Sequence, residues 1–105
     1  MKRHKYNAKG TYVDGLYFPS KAEARKYAEL KLLEKVGKIR NLLLQPSFPI
    51  AVNGVKICTY RADFQFDDAA GRHITDVKGV KTQVYRIKKK LVEACYPGLK
   101  IEEVR

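Results

Sequence analysis

Asp63, Asp76 and Lys78 are the residues of this sequence whose types and spacing suit joint chemistry. Two apolar, β-branched segments flank Ala69-Ala70, and pairing symmetric about that tip sets Asp63 directly across from Asp76. Opposed residues on antiparallel strands share a face with Cβ atoms roughly 4.5 to 5.5 Å apart, and like charges so placed destabilise the sheet unless something compensates. A divalent cation compensates. Side chains alternate along a strand, so Lys78 shares the face of Asp76, about 7 Å further on. Phe64, Phe66, Thr75 and Val77 turn to the other side and supply the packing that fixes this register, since a slip of one residue exchanges phenylalanines for carboxylates. On an open sheet face the two aspartates would simply be solvated. Helices covering both faces would instead leave the acids partly buried, where an uncompensated carboxylate is costly. Glu23 is the third acidic candidate. It stands three residues after Ser20, where a capping-box glutamate belongs, and shares a helix face with Tyr27 and Leu30 that is apolar enough to turn inward.

The elements that must position these groups are set by patterning. Residues 1–15 are basic and polar and read as an arm, with a turn or short strand around Thr11 to Tyr17; residues 16–105 make one domain. A helix is predicted over about 20–36, with Ser20 as N-cap and Gly37 at its end. Ala22, Ala24, Tyr27, Ala28, Leu30, Leu32, Leu33 and Val36 occupy most of its circumference, which predicts packing on more than one side. After a break at Gln45-Pro46, FPIAV and VKICTYRADFQF form two antiparallel strands joined by Asn53-Gly54, a dipeptide suited to two-residue hairpin turns. RHITDVKG is the third strand of this meander. Thr82 caps a second helix, QVYRIKKKLVEACY, which Pro97-Gly98 ends, and LKIEEV is a last short strand. The fold class is therefore α/β with a mixed sheet, in the order α-β-β-β-α-β.

Charge names the partner class. Against 11 Asp and Glu stand 22 Lys and Arg, a formal +11 that points to a nucleic acid or another polyanion. Binding through such a surface weakens with salt at a log-log slope of about −0.9 per phosphate contact. The candidate backbone contacts are Lys2, Arg3 and Lys5 in the arm, Lys21 and Arg25 on the first helix, and Lys81, Arg86, Lys89 and Lys90 on or before the second. Such contacts position DNA without reading its sequence. Cys58 and Cys95 form no CxxC or Cys/His cluster, so neither a zinc site nor a disulfide framework is expected, and both read as small buried apolar residues. His4 lies in the arm and His73 near the hairpin tip, facing away from the carboxylates, so both read as surface residues and not as bases. No segment has the apolar length of a signal-peptide core or a membrane span, so a soluble, cytoplasmic protein without membrane contact is expected.

Taken in order, Ser20-Lys21-Ala22-Glu23 opening a helix, then Ala62-Asp63-Phe64, then Asp76-Val77-Lys78-Gly79 resemble the PD-(D/E)XK nuclease superfamily, with its restriction-endonuclease-like α-β-β-β-α-β core. More narrowly, SKAEARKYAELKLLEKVG, Gln45-Pro46, YRADF, DVKGVKT and the basic second helix resemble small phage and prophage endonucleases related to Holliday junction resolvases, over Tyr6 to Val104. The resemblance implies that Asp63 is the central metal-binding aspartate, Asp76 and Lys78 the acid and lysine of the (D/E)XK element, and Glu23 the first-helix glutamate. Val77 would lend its backbone carbonyl to the metal. Ala62 stands where the superfamily name places proline. The activity implied is that of an endonuclease dependent on Mg2+, with Mn2+ as substitute and no organic cofactor. It would act on DNA, most aptly branched DNA, as a homodimer in the cytoplasm of a phage-infected or prophage-carrying bacterial cell. Other readings are a general nicking, flap or restriction-like endonuclease and, from another class, a non-catalytic basic nucleic-acid-binding protein. Gln45 either supports the site or starts a strand.

Overall fold

The structure, a computed structural model, describes residues 10–105. A hairpin of β1 (Thr11–Val13) and β2 (Leu16–Phe18) leads into α1 (Lys21–Lys35), followed by β3 (Arg40–Leu44), β4 (Ser47–Val52), β5 (Val55–Arg61), β6 (Phe64–Asp68), β7 (Gly71–Val77), α2 (Gln83–Cys95) and β8 (Ile101–Val104). The four-stranded sheet runs β3-β6-β7-β8 and is mixed: β6 pairs antiparallel with β3 and β7, whereas β8 joins β7 in parallel after the α2 crossover. Among the described residues the main sheet and its helices follow as α1, β3, β6, β7, α2 and β8, but the expected meander is not one sheet: the FPIAV strand β4 pairs with β5 in a separate hairpin, and β3 takes the place beside β6.

Local chemistry explains the boundaries. Ser20 accepts a hydrogen bond from the Glu23 N–H at 3.1 Å, satisfying an orphan donor of the first turn of α1. At the other end Gly37, at φ 82°, donates to the Glu34 carbonyl while Lys38 donates to that of Leu33, the paired bonds of a Schellman cap. Thr82 caps α2 by accepting from Tyr85 N–H at 3.1 Å. Asn53-Gly54 turns β4 into β5 with both residues at positive φ, as expected of that dipeptide.

Several expectations need correction. The segment from Val55 to Phe66 is not one strand but two, because Gln45 takes φ 51° and Pro46 follows it, bending the chain just where Ala62 and Asp63 lie opposite. Gln45 N–H donates to the Asp63 carbonyl at 2.9 Å and Ala62 N–H to that of Pro46 at 3.1 Å, so both chains leave one sheet and enter the other together. The stretch Arg40–Leu44, given no strand from patterning, is β3, an edge of the main sheet. Among the described residues α1 buries one side only, through Ala24, Tyr27 and Leu30, while Leu32 and Val36 stay exposed. Cys58 is half-buried and Cys95 exposed, so neither is a buried core residue. The boundary drawn after residue 15 also falls inside the turn of the β1–β2 hairpin, which packs on α1; the folded body includes Thr11.

Two apolar layers clamp the sheet. On one face Phe64 packs with Ala24, Tyr27, Leu30 and Ile39, and Phe66 and Val77 join them. On the other Ile74, Ile101 and Ala62 meet Val92 and Tyr85 of α2 and Ile50 and Tyr60 of the β4–β5 hairpin. Leu30, Ile50, Phe64 and Val92 are almost wholly buried, and each such side chain contributes about 1.5–3 kcal/mol of transfer free energy. No helix among the described residues is long and apolar enough to cross a membrane.

Candidate active site

The β6–β7 register sets the geometry. Phe64 pairs with Thr75 and Gln65 with Ile74, which is the symmetric pairing expected from the sequence and brings Asp63, at the bend before β6, against Asp76 of β7. The two aspartates interlock. Asp63 N–H donates to Asp76 Oδ1 at 2.9 Å, and Val77 N–H donates to Asp63 Oδ2 at 2.8 Å. Tyr60, from the end of β5, donates its hydroxyl to Asp76 Oδ2. Each carboxylate is thus oriented by backbone, with a buried phenol fixing the second oxygen of Asp76.

Burial dominates the electrostatics. Asp76 is 1% exposed. Its pKa is raised, chiefly by desolvation and further by the charge of Asp63, against the opposing pull of the Tyr60 hydroxyl, Lys78 and the Asp63 N–H. Desolvation likewise pushes Asp63 up to about 6; Val77 N–H and Lys78 oppose this, whereas the adjoining Glu23 carboxyl adds to it. Burial and the bond to Asp76 hold the Tyr60 phenol well above its ordinary value.

Glu23 serves two ends. Its Oε1 accepts from the Ser20 hydroxyl at 3.2 Å, a side-chain contact and not the bond to the Ser20 N–H that a capping box makes, and its carboxyl also adjoins that of Asp63. It lines a cleft with Leu16, Tyr17, Phe18, Gln45 and Asp63. Lys78 follows β7, its Nζ 4.4 Å from the centroid of the Tyr85 ring; it lines a cleft with Tyr60 and Tyr85, apart from the one that Glu23 and Asp63 line, and its charge lowers the pKa of both aspartates. Val77 engages Asp63 through its N–H and pairs with Val104 in the β7–β8 ladder.

Among the described residues no group of three or more His, Cys, Asp and Glu side chains is disposed to hold a metal ion. The anticipated trio of Glu23, Asp63 and Asp76 is therefore not a closed ligand cage. The donor chemistry nonetheless fits a hard cation. All the donors are oxygens, Asp76 is buried with Asp63 half-buried against it, and Mg2+ is commonly held by one or two carboxylates while keeping several waters. Asp63 and Asp76 are the residues that would hold it.

The basic residues divide. Lys21, Arg25, Arg86 and Lys90 are exposed on the two helices. Lys81 and Lys89, expected to meet phosphate, both reach Glu103, at 3.1 and 3.7 Å. Glu103 pairs with Asp76 across the parallel β7–β8 ladder and accepts from the Tyr85 hydroxyl at 2.8 Å; that hydroxyl, with Lys81 and Lys89, lowers its pKa. Lys2, Arg3, Lys5 and His4 lie outside the described residues. His73 faces away from the acids as expected, but it is bound: its ring nitrogens lie 2.8 Å from both Glu102 and Asp68, and it stacks on Phe66. Tyr60 and Glu103 were not singled out from the sequence; a tyrosine in step with Ala62 was the one signal for the first, and nothing local marks the second.

A family model described as a protein of unknown function (DUF1064) matches residues 3–105, and the chain belongs to that family. No curated protein and no solved structure matches it.

Proposed function

We propose that this member of the DUF1064 family is a divalent-metal-dependent DNA endonuclease of the PD-(D/E)XK type, hydrolysing phosphodiester bonds with Asp63, Asp76, Lys78 and Glu23. The observation that carries the reading is the interlocked Asp63–Asp76 pair at the sheet bend, with Lys78 two residues beyond Asp76 on an α-β-β-β-α-β core. A chain of +11 that buries Asp76 and sets the half-buried Asp63 against it spends stability on the pair, and catalysis is the reason that explains it best.

When bound, Mg2+ or Mn2+ supplies an activated water and polarises the phosphoryl oxygen. Asp63 and Asp76 would hold such an ion, and their backbone and Tyr60 hydrogen bonds fix the orientation of the two carboxylates. Glu23 stands beside Asp63, where its carboxyl would orient a water next to the scissile phosphate. Lys78, placed by the Tyr85 ring, offsets the charge that develops on the phosphate. Arg25, Arg86 and Lys90 hold the strand through its phosphates, giving little sequence preference.

Within nucleases, the reading favours a structure-selective enzyme that resolves four-way junctions as a homodimer. One site on a domain of 105 residues cuts one strand, and a two-fold pair of sites suits two symmetric cuts. A panel of four-way junction, flap, nicked and linear DNA in Mg2+ tests it: the junction is cut fastest. Linear duplex cut as fast as a junction favours a general nickase. A second reading, a basic nucleic-acid-binding protein without catalysis, draws on the lack of a three-acid cluster among the described residues. DNA binding without any metal-dependent cutting selects it.

A further inference from the structure

The outer face of the β1–β2 hairpin carries two tyrosines that packing does not require. Tyr12 and Tyr17 are cross-strand partners whose rings meet edge-on at 5.4 Å, yet they are 71% and 56% exposed. The hairpin is attached by other means. Phe18 is buried and lies 5.0 Å from the Tyr27 ring, and the Tyr27 hydroxyl donates to Asp14 at 3.0 Å. Asp14 and Gly15 make a tight turn with φ 53° and 76°. Gly10 lies against Tyr17, and a side chain at that position would displace the ring. The Tyr17 ring thus rests between Tyr12 and the Gly10 backbone while its surface stays open to solvent.

That place is the wall of the acidic cleft. Leu16, Tyr17 and Phe18 line it together with Glu23, Gln45 and Asp63. An exposed aromatic ring beside carboxylates suited to phosphate chemistry, on a strongly cationic chain, matches the way nucleobases are gripped: phosphates draw the strand in, and the base stacks on the ring. Exposed Lys21 opens α1 directly after the hairpin, on the path of such a strand. Inside a duplex every base face is already stacked on its neighbours, so only a base out of the stack can use the ring.

We propose that Tyr17, backed by Tyr12, stacks on an unpaired base next to the cleaved phosphate, so that the substrate class is DNA with unstacked bases at the cut: a flap, a bubble or an opened branch point. This rests on the reading of the protein as a DNA endonuclease. The test uses the full chain in Ca2+, which allows binding with little cleavage, and DNA carrying 2-aminopurine at an unpaired position beside a branch. The wild type quenches that fluorescence. Tyr17→Ala abolishes the quench and weakens binding of branched DNA by about five- to a hundredfold, the loss typical of one base–aromatic stack, while binding of continuous duplex stays within about twofold. Tyr17→Phe keeps both. A quench that survives Tyr17→Ala, or equal weakening on both DNAs, overturns the proposal. If Tyr17→Ala does not fold, the wild type still decides, because tight binding of the branched DNA without quenching refutes the stack by itself. A wild type that binds neither DNA refutes the endonuclease reading, and this inference with it.

Discussion

Removing the Tyr60 hydroxyl probes the built-in strain of the acidic pair. Tyr60→Phe deletes one oxygen and leaves the ring, which packs 6.4 Å from that of Tyr85, in place. Tyr60 is 2% exposed and Asp76 1%, so no water readily replaces the lost donor on Asp76 Oδ2. A hydrogen bond to a charged group contributes about 1.5–3 kcal/mol, and a buried acceptor left without its donor costs about as much as the bond. We therefore expect a loss of roughly 2 kcal/mol, which for a domain of this size lowers Tm by roughly 10 °C. Because the hydroxyl opposes the burial that raises Asp76, its loss raises that carboxyl further, and cleavage should shift to higher pH. Thermal unfolding in chelator at pH 8 measures the first effect and a pH series of cleavage the second. A variant within about 0.5 kcal/mol of the wild type, the usual range of innocuous surface changes, would refute the reasoning.

Two further outcomes rest on named contacts. Lys78→Met should slow cleavage by about 10²-fold, the effect of removing one donor to a developing oxyanion, and leave DNA affinity within a few-fold; an equal fall in both measurements reduces Lys78 to a phosphate anchor. Hydrogen bonds to Glu102 and Asp68 raise the pKa of His73, so its contribution to stability is fully present below the unfolded value of about 6.5 and disappears as pH rises through the folded one. The Tm gap between wild type and His73→Gln should therefore narrow from pH 6 to pH 9; a constant gap contradicts the assignment.

The parts of this fold that were legible in the sequence are those written in local chemistry. Ser20, Gly37, Thr82 and Asn53-Gly54 each satisfy or bend the backbone within a few residues of themselves, and the observed caps and turn sit at those positions. The Asp63–Asp76 pairing was legible for a related reason: the Ala69-Ala70 tip is short, and alternation along Phe64–Phe66 and Ile74–Val77 admits one register. The features that escaped depend on contacts distant in sequence. The break between β5 and β6 comes from Gln45 in a left-handed backbone, which costs a non-glycine residue energy and leaves no compositional mark. Strand β3 becomes a strand only by pairing with β6, and Glu103 reaches the site only because β8 lies parallel to β7. The apolar residues around α1 suggested two buried sides, yet Leu32 and Val36 are exposed, since a sheet covers one face and the β1–β2 hairpin extends along the same side.

The central claim is that Asp63 and Asp76 hold a divalent ion for phosphodiester hydrolysis, and cleavage of a four-way junction by the wild type, Asp63→Ala and Asp76→Ala in Mg2+, Ca2+ and chelator tests it most directly, with DNA binding measured alongside. The account predicts cutting by the wild type in Mg2+ alone, binding with little cutting in Ca2+, which is larger and more loosely coordinated, and no cutting by either variant while both still bind DNA. Undiminished cutting in chelator, or near-normal Mg2+-dependent cutting by either variant, would contradict it.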